Sequence, residues 1–325
     1  MLKKVPMAMC GLILGMEALG NLLIMSNFVF LGNLFGIIGM LLMLIILAKI
    51  TISFASAYQE LLNPLAAGTL PTFTMALMLI SMYWSRWGFS RFAFILWSIA
   101  IICHIAIMLA FCQINFITKK PQLEDVYPSW FVMFVGIGVI PVSAKLFSIS
   151  VGQIFFYIAL GLYIIVFPIV FFRLYKNREL AEGALPLLTI IAAPASLCLT
   201  GYLNSFTNIN YIFAIILGFF AQFLYFSTII LMVKIYVSAK HSILSFKPSF
   251  AAFTFPLVIS ATGLTVLLDR LQNHSTLIII TKIELIIAFI MVTYVLVHYL
   301  RFLILLVKTN FSLFTQGEEN KEERD

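Results

Sequence analysis

Long apolar runs fill most of this sequence and restrict its fold more than any other feature. A helix needs about 20 mainly apolar residues to cross the hydrocarbon core of a bilayer. Of the 325 residues, 62% are hydrophobic and only 10% are charged. The sequence therefore predicts an all-α integral membrane protein with ten transmembrane helices. The predicted spans are residues 6–24, 30–57, 66–84, 90–116, 129–148, 152–172, 186–205, 210–236, 249–268 and 276–300.

Ten spans leave no room for a separate soluble domain. We therefore interpret residues 1–310 as a single transmembrane channel or transporter domain. The charged residues 311–325 are predicted to form a cytoplasmic tail. The four cysteines all fall in apolar runs, without the spacing of a metal site or a disulfide framework.

The basic residues predict how the chain is oriented. Lys and Arg accumulate in cytoplasmic loops, and most of the 20 in this chain fall at the end of the predicted bundle where the chain begins. Both termini are therefore predicted to be cytoplasmic, in a multi-pass protein of the plasma (inner) membrane. The net charge of +7 comes from these loops and does not indicate a nucleic-acid partner. The basic residues predicted on the other side are Arg86, Arg91, Lys145, Arg270 and Lys282.

Prolines repeat along the chain with a nearly constant period. One proline stands at the start of each odd-numbered span, and successive ones are 58 to 64 residues apart. A fixed period is typical of repeat architectures, and here each unit contains two spans. The pattern predicts five helical hairpins. The repeating prolines are Pro6, Pro64, Pro128, Pro186 and Pro248.

A second set of prolines lies inside four of the five odd-numbered spans. An internal proline removes a helical hydrogen bond and costs about 3 kcal/mol. Lipid cannot satisfy the freed carbonyl, so such backbone belongs against protein or a water-filled cavity. The pattern predicts an inner ring of kinked odd-numbered helices inside an outer ring of even-numbered ones. The kinks predicted to line a pore are Pro71, Pro141, Pro194 and Pro256.

Four segments carry a resemblance to a known family. They are C-G-L-I-L-G-M-E-A-L-G (10–20), Y-P-S-W-F-V-M-F-V-G-I-G-V (127–139), P-L-L-T-I-I-A-A-P-A-S (186–196) and F-A-A-F-T-F-P-L (250–257). In this order they resemble helices 1, 5, 7 and 9 of the tellurite-resistance/dicarboxylate transporter (TDT) family. That family includes bacterial TehA-type channels and the slow anion channels of plant guard cells.

The resemblance implies a quasi-five-fold pore through each protomer of a homotrimer. It also implies passive conduction of small inorganic anions, chloride and nitrate among them, through a pore occluded by a phenylalanine of helix 9. By position this gate is Phe255, which is also the one aromatic residue directly before a kink proline. A residue before proline is pushed away from helical geometry, and a hydrophobic constriction can exclude water. From the residues alone, Phe255 is more simply one of 32 phenylalanines that pack helices.

No ring of Lys or Arg occurs in the odd-numbered spans. Anion preference is therefore expected to come from backbone N–H groups at the broken helices. Two charged residues within the spans are possible pore or coupling charges. Glu17 could be a neutral acid, a member of a structural ion pair or a proton-coupling site. Lys145 could pair with Glu17, reach the interface or attract anions at the pore mouth.

Two functions remain open at this stage. The first is an anion channel gated at Phe255. The alternative is a secondary transporter of C4-dicarboxylates or of oxyanions such as sulfite or tellurite, proton-coupled through Glu17. The sequence contains no phosphate-binding loop, no metal cluster and no catalytic constellation, so neither an enzyme nor a cofactor is predicted. The expected partners are small anions and the lipid bilayer. A signalling receptor is disfavoured because the outer loops are short.

Overall fold

The protein is helical throughout the part that its structure, a computed structural model, describes. This part comprises residues 2–62, 64–119, 122–177, 180–238, 246–272 and 277–322, without the side chains at 57, 61, 64, 65, 235–238 and 310–322. The α-helices are α1 (Met9–Met25), α2 (Val29–Ile52), α3 (Phe54–Leu61), α4 (Pro64–Ala67), α5 (Thr72–Arg86), α6 (Ser90–Cys112), α7 (Trp130–Val135), α8 (Val139–Ser143), α9 (Ile149–Lys176), α10 (Ala193–Ser205), α11 (Tyr211–Ser238), α12 (Phe255–Arg270) and α13 (Leu277–Glu322).

Seven helical segments of this part are long and apolar enough to cross a bilayer, and two shorter apolar segments accompany them. This content confirms the prediction of an all-α, multi-pass membrane protein. The long segments are Val29–Ile52, Ser90–Thr118, Ile149–Lys176, Glu182–Ser205, Tyr211–Lys234, Pro248–Arg270 and Leu277–Thr309. The shorter ones are Met9–Met25 and Trp130–Leu146.

Burial divides the long segments into two classes. In Glu182–Ser205 and Pro248–Arg270, 83% and 78% of the most apolar stretch is buried by other parts of the chain. In the other five, the buried share is only 22% to 39%. The short helices α1 and α5 also bury most of their residues. Odd-numbered predicted spans are therefore buried by protein, and even-numbered ones expose apolar side chains of the kind that face lipid.

Helix type changes within three of the buried segments, namely Trp130–Leu146, Glu182–Ser205 and Pro248–Arg270. A 3-10 helix at Glu182–Ala192 precedes α10, and another at Pro248–Phe253 precedes α12. Between α7 and α8 the chain forms a 3-10 turn at Gly136–Gly138. Pro194 and Pro256 lie in the first turn of α10 and α12, where a missing N–H costs least. The predicted kinks at these two prolines are therefore junctions between 3-10 and α-helix.

The buried helices contact one another in a closed cycle. α1 packs against α5, α5 against α8, α8 against α10, α10 against α12, and α12 against α1. Small residues allow these close approaches: a Cβ atom on Gly201 of α10 would lie 2.9 Å from Cγ of Pro141 of α8. The exposed helices cover the cycle, with α2 on α1, α6 on α5, α9 on α8 and α10, α11 on α10 and α12, and α13 on α12 and α1.

Of two predicted boundaries, the structure changes one and does not test the other. The span predicted at 66–84 is divided, because α4 ends at Ala67 and α5 begins at Thr72, with Pro71 as its N-cap residue. The predicted tail at 311–325 falls on residues whose side chains lie outside the described part, as do residues 323–325 altogether. Its separation from the transmembrane domain stays a prediction.

Candidate functional site

Two cavities lie along the middle of the cycle of buried helices. The near cavity, at the end where α1 begins, is bordered by Gly11 and Leu14 and contains about 600 Å³ of empty space, including space open to the outside. The far cavity, at the end of α1, is bordered by Ala18 and Met25 and contains about 750 Å³ on the same basis. Residues from α1, α5, α10 and α12 line both cavities, while α7 contributes to the near one and α8 to the far one.

Phe255 and Leu197 are the two residues that line both cavities in the described part of the chain. Phe255 is the first residue of α12, and Leu197 lies one turn into α10. Both side chains are buried, with 7% and 2% exposure. An aromatic and an aliphatic side chain thus lie at the boundary between the two spaces.

The backbone at Phe255 is fixed by the change of helix type. The 3-10 helix ends at Phe253, and Thr254 is the N-cap residue of α12. Thr254 Oγ1 is 3.0 Å from the Gly11 carbonyl oxygen and 2.7 Å from that of Ala251, and its hydroxyl can donate to either. α1 and α12 can approach this closely because Gly15 has no side chain at the contact with Thr254.

The two cavities differ in polarity. The near cavity is lined almost wholly by apolar side chains, and Thr69, Thr72 and Ser249 carry the only hydroxyl groups among its described lining residues. The far cavity contains the amides of Asn21 and Asn204 and, at one side, a basic residue. Among the described lining residues of either cavity there is no Asp or Glu. A permeating anion would therefore meet no fixed negative charge from the lining.

Arg86 is the basic residue of the far cavity. It ends α5, and its guanidinium group donates a hydrogen bond to Asn21 Oδ1. The same group lies over the Tyr83 ring, with Cζ 4.8 Å from the ring centroid. The sequence alone placed Arg86 among the far-side loop charges and missed this position. The feature that could have indicated a position at the cavity is the place of Arg86 in the last turn of a buried helix, three residues after a tyrosine.

The kink prolines fall into two groups. Pro194 and Pro256 line the near cavity. Pro71 and Pro141 are buried but border neither cavity in the described structure. Pro71 precedes α5, and Pro141 packs against Gly201.

Glu17 and Lys145 lie away from both cavities. Glu17 is fully buried and faces the covering helix α2, where its carboxyl group contacts Gly39. Neither of its carboxyl oxygens has a hydrogen-bonding partner in the described part of the chain. Lys145 is exposed, in a 3-10 turn at Ala144–Leu146. The roles considered for these residues remain hypotheses.

No cofactor site emerges from the described residues. They contain no group of three or more His, Cys, Asp or Glu side chains that could hold a metal ion. The four cysteines are free thiols, two of them buried. The described structure thus has two mainly apolar cavities that share Leu197 and Phe255, with one basic group at the far cavity.

Comparison with known proteins agrees with this arrangement. The family model described as SLAC1, voltage-dependent anion channel, matches residues 4–300, nearly the whole chain. No curated protein matches the chain. The resemblance found in the sequence is thereby confirmed, and the family indicates a function in anion transport. The chain belongs to the SLAC1 family of voltage-dependent anion channels.

Proposed function

We propose that this protein is a passive channel for small inorganic anions such as chloride and nitrate, closed at Phe255. One observation carries the proposal: Phe255 lies at the boundary between two cavities that otherwise extend along the middle of the buried helices. A ring at such a point excludes water, and an ion cannot pass a dry constriction cheaply. Turning the ring aside, even off its preferred rotamer, would cost about 0.5–1.5 kcal/mol.

The proposed architecture follows from the contacts among the helices. The cycle of α1, α5, α8, α10 and α12 would be the inner ring of five helical hairpins in a quasi-five-fold arrangement, with ten transmembrane helices in all. The covering helices α2, α6, α9, α11 and α13 would be the outer ring. The homotrimer, the plasma (inner) membrane and the cytoplasmic termini remain proposals from the resemblance and the charge distribution.

Weak selectivity is part of the proposal. The near cavity has an almost wholly apolar lining and no basic side chain in the described part. An anion there would lose hydration without gaining a strong partner, so permeability should follow the cost of dehydration. We therefore expect nitrate to permeate better than chloride, and doubly charged C4-dicarboxylates to permeate worst.

A secondary transporter is the alternative. Glu17 favours it, because a buried carboxyl group without a hydrogen-bonding partner is expensive and is by default a functional candidate in a membrane. Its position against Gly39, outside both cavities, argues for the channel, since a coupling group must sense the substrate. A proton-coupled carrier of dicarboxylates, sulfite or tellurite would require Glu17.

Anion flux into proteoliposomes tests the proposal. Wild type and Phe255→Ala are compared for chloride, nitrate and a C4-dicarboxylate, with Phe253→Ala as a matched control. Phe253 lies two residues away, is partly buried and borders neither cavity in the described structure. Each 1.4 kcal/mol of barrier removed gives about tenfold in rate, so removing the cost of about 0.5–1.5 kcal/mol for turning the ring should raise chloride and nitrate flux in Phe255→Ala about two- to tenfold. Phe253→Ala should not.

The same assay separates the two functions. A channel gives flux that rises linearly with the gradient and shows no counterflow. Saturable uptake with counterflow in the wild type, no gain in Phe255→Ala and loss of uptake in Glu17→Gln would overturn the channel and establish the carrier.

A further inference from the structure

The far cavity contains a charged group whose role the gate does not explain. Arg86 is the only charged residue among the described residues that line either cavity. It lies at the end of α5 and is exposed, so its guanidinium group is accessible from the cavity. A cation that borders a cavity on a proposed path for anions is a candidate binding group.

The guanidinium group is oriented by its neighbours. It donates to Asn21 Oδ1, and its flat face lies over Tyr83. Tyr83 is itself fixed, because its hydroxyl donates to the Glu17 carbonyl oxygen at 3.0 Å. Asn21 is fixed in the same way, since its amide nitrogen donates to that oxygen at 2.7 Å. A guanidinium held on two sides loses less conformational entropy when it binds a ligand.

No acid forms an ion pair with this cation in the described structure, although the Glu17 carboxyl group interacts with it electrostatically. The ion pairs found there are Lys49 with Glu60 and Lys247 with Glu182. The carboxyl group of Glu17, on the neighbouring helix, faces Gly39 of α2 and does not line the cavity. Because it forms no direct ion pair there, the guanidinium group of Arg86 can still attract a mobile anion.

We propose that Arg86, with the amides of Asn21 and Asn204, forms an anion-binding site in the far cavity that prefers planar oxyanions such as nitrate over chloride. A guanidinium presents two parallel N–H groups that match two oxygens of a planar anion, whereas a spherical ion uses only its charge. Asn204 is held nearby, with its amide nitrogen 2.9 Å from the Val142 carbonyl oxygen, and retains a second N–H. This inference rests on the proposed function and names a ligand class for it.

The site is tested by flux in the Phe255→Ala background, where the gate no longer limits passage. Arg86→Gln removes the charge, Arg86→Lys keeps the charge without the planar fork, and Arg91→Gln is the matched control. Arg91 is an exposed arginine near the start of α6 that borders neither cavity in the described part. At low ionic strength, Arg86→Gln should reduce nitrate influx from the far side about three- to tenfold, since clefts of one charge concentrate counter-ions.

Two controls sharpen this result. The reduction should shrink in 1 M salt, where the Debye length is about 3 Å. Arg86→Lys should restore most of the chloride flux but only part of the nitrate flux, so that the nitrate-to-chloride flux ratio falls to the value set by dehydration alone. Equal flux in Arg86→Gln and Arg91→Gln at low ionic strength would overturn the site while leaving the channel intact.

Anion binding at this site can also be measured without a transport assay. In detergent-solubilised full-length protein, the melting temperature is compared in nitrate and in chloride for wild type, Arg86→Gln and Arg91→Gln. The proposed site predicts that the nitrate-minus-chloride difference changes in Arg86→Gln only. The same difference in all three proteins would show a general salt effect and contradict the site, whatever the flux assay gives.

Discussion

Thr254 Oγ1 lies 3.0 Å from the Gly11 carbonyl oxygen, so the residue before Phe255 is tied to the first turn of α1. This contact joins elements at opposite ends of the chain. It also closes the cycle of buried helices at the level of the proposed gate. The position of the Phe255 ring therefore depends on α1 as well as on its own helix.

We predict that Thr254→Val loosens the gate. Valine keeps the shape but cannot donate to Gly11, and such a bond contributes about 0.5–1.5 kcal/mol. Anion flux should rise a few-fold, and the melting temperature in detergent should fall slightly. Thr265→Val is the control, because the Thr265 hydroxyl bonds only to Ala261 of the same helix in the described structure. Equal flux in the two variants would show that the Gly11 contact does not hold the gate.

Leu197→Ala should open the constriction in part. Leu197 packs against Gly138, where a Cβ atom would lie 3.0 Å from its Cγ, and it borders both cavities from α10, the helix that packs against α12. Truncation widens the boundary but leaves the Phe255 ring, so flux should rise less than in Phe255→Ala. The control is Leu199→Ala, since Leu199 is buried on the same helix and borders neither cavity in the described part.

Both leucine truncations should lower stability by about 2–5 kcal/mol, which thermal unfolding in detergent measures. Because this loss is common to the two variants, only the difference in flux reports on the constriction. A gain in flux from Leu199→Ala as large as that from Leu197→Ala would assign the effect to general loosening of α10.

Gly15→Ala should displace the start of α12. A Cβ atom at Gly15 would overlap the Thr254 side chain and lie 3.1 Å from the Phe255 backbone nitrogen. Overpacking of this kind costs about 1–3 kcal/mol, so the melting temperature should fall. Basal anion flux should rise because the gate is displaced. Gly161→Ala on α9 is the matched control, because a Cβ atom there meets nothing within 4 Å. An unchanged melting temperature in Gly15→Ala would contradict the described packing of α1 on α12.

Glu17→Gln should leave channel flux within about twofold of wild type. The substitution keeps the size of a side chain that faces Gly39 and borders neither cavity, and a barrier change below about 0.4 kcal/mol corresponds to less than twofold in rate. Flux and its dependence on a proton gradient are measured together. Loss of uptake together with loss of proton dependence would support the carrier instead.

The sequence was sufficient for the class of fold and for the division into buried and exposed helices. Lipid imposes the length and apolarity of a span, and prolines mark the helices that protein must cover. The placement of Pro194 and Pro256 beside the near cavity accords with that reasoning. Pro71 behaves differently because the chain between α4 and α5 is already non-helical, so its missing N–H breaks no helix.

The details of the candidate site could not be predicted from the sequence in the same way. Most residues of α1 are buried, so its apolar pattern does not reveal which side Glu17 faces. Arg86 ends a helix, and whether such a residue points to solvent or into a cavity depends on the rotation of α5 within the bundle. The junctions from 3-10 to α-helix likewise depend on packing between helices, which local sequence does not encode.

The role of the Phe255 ring as a gate can be tested in a planar bilayer by reducing the size of the side chain at this position. Conductance is recorded for wild type and for Phe255→Leu, Phe255→Val and Phe255→Ala, under symmetrical chloride and then nitrate, beside the Phe253→Ala control. If the ring closes the path, conductance rises in the order Phe, Leu, Val, Ala, with nitrate above chloride in each open variant. Conductance that is the same in all four proteins would contradict a pore closed at Phe255.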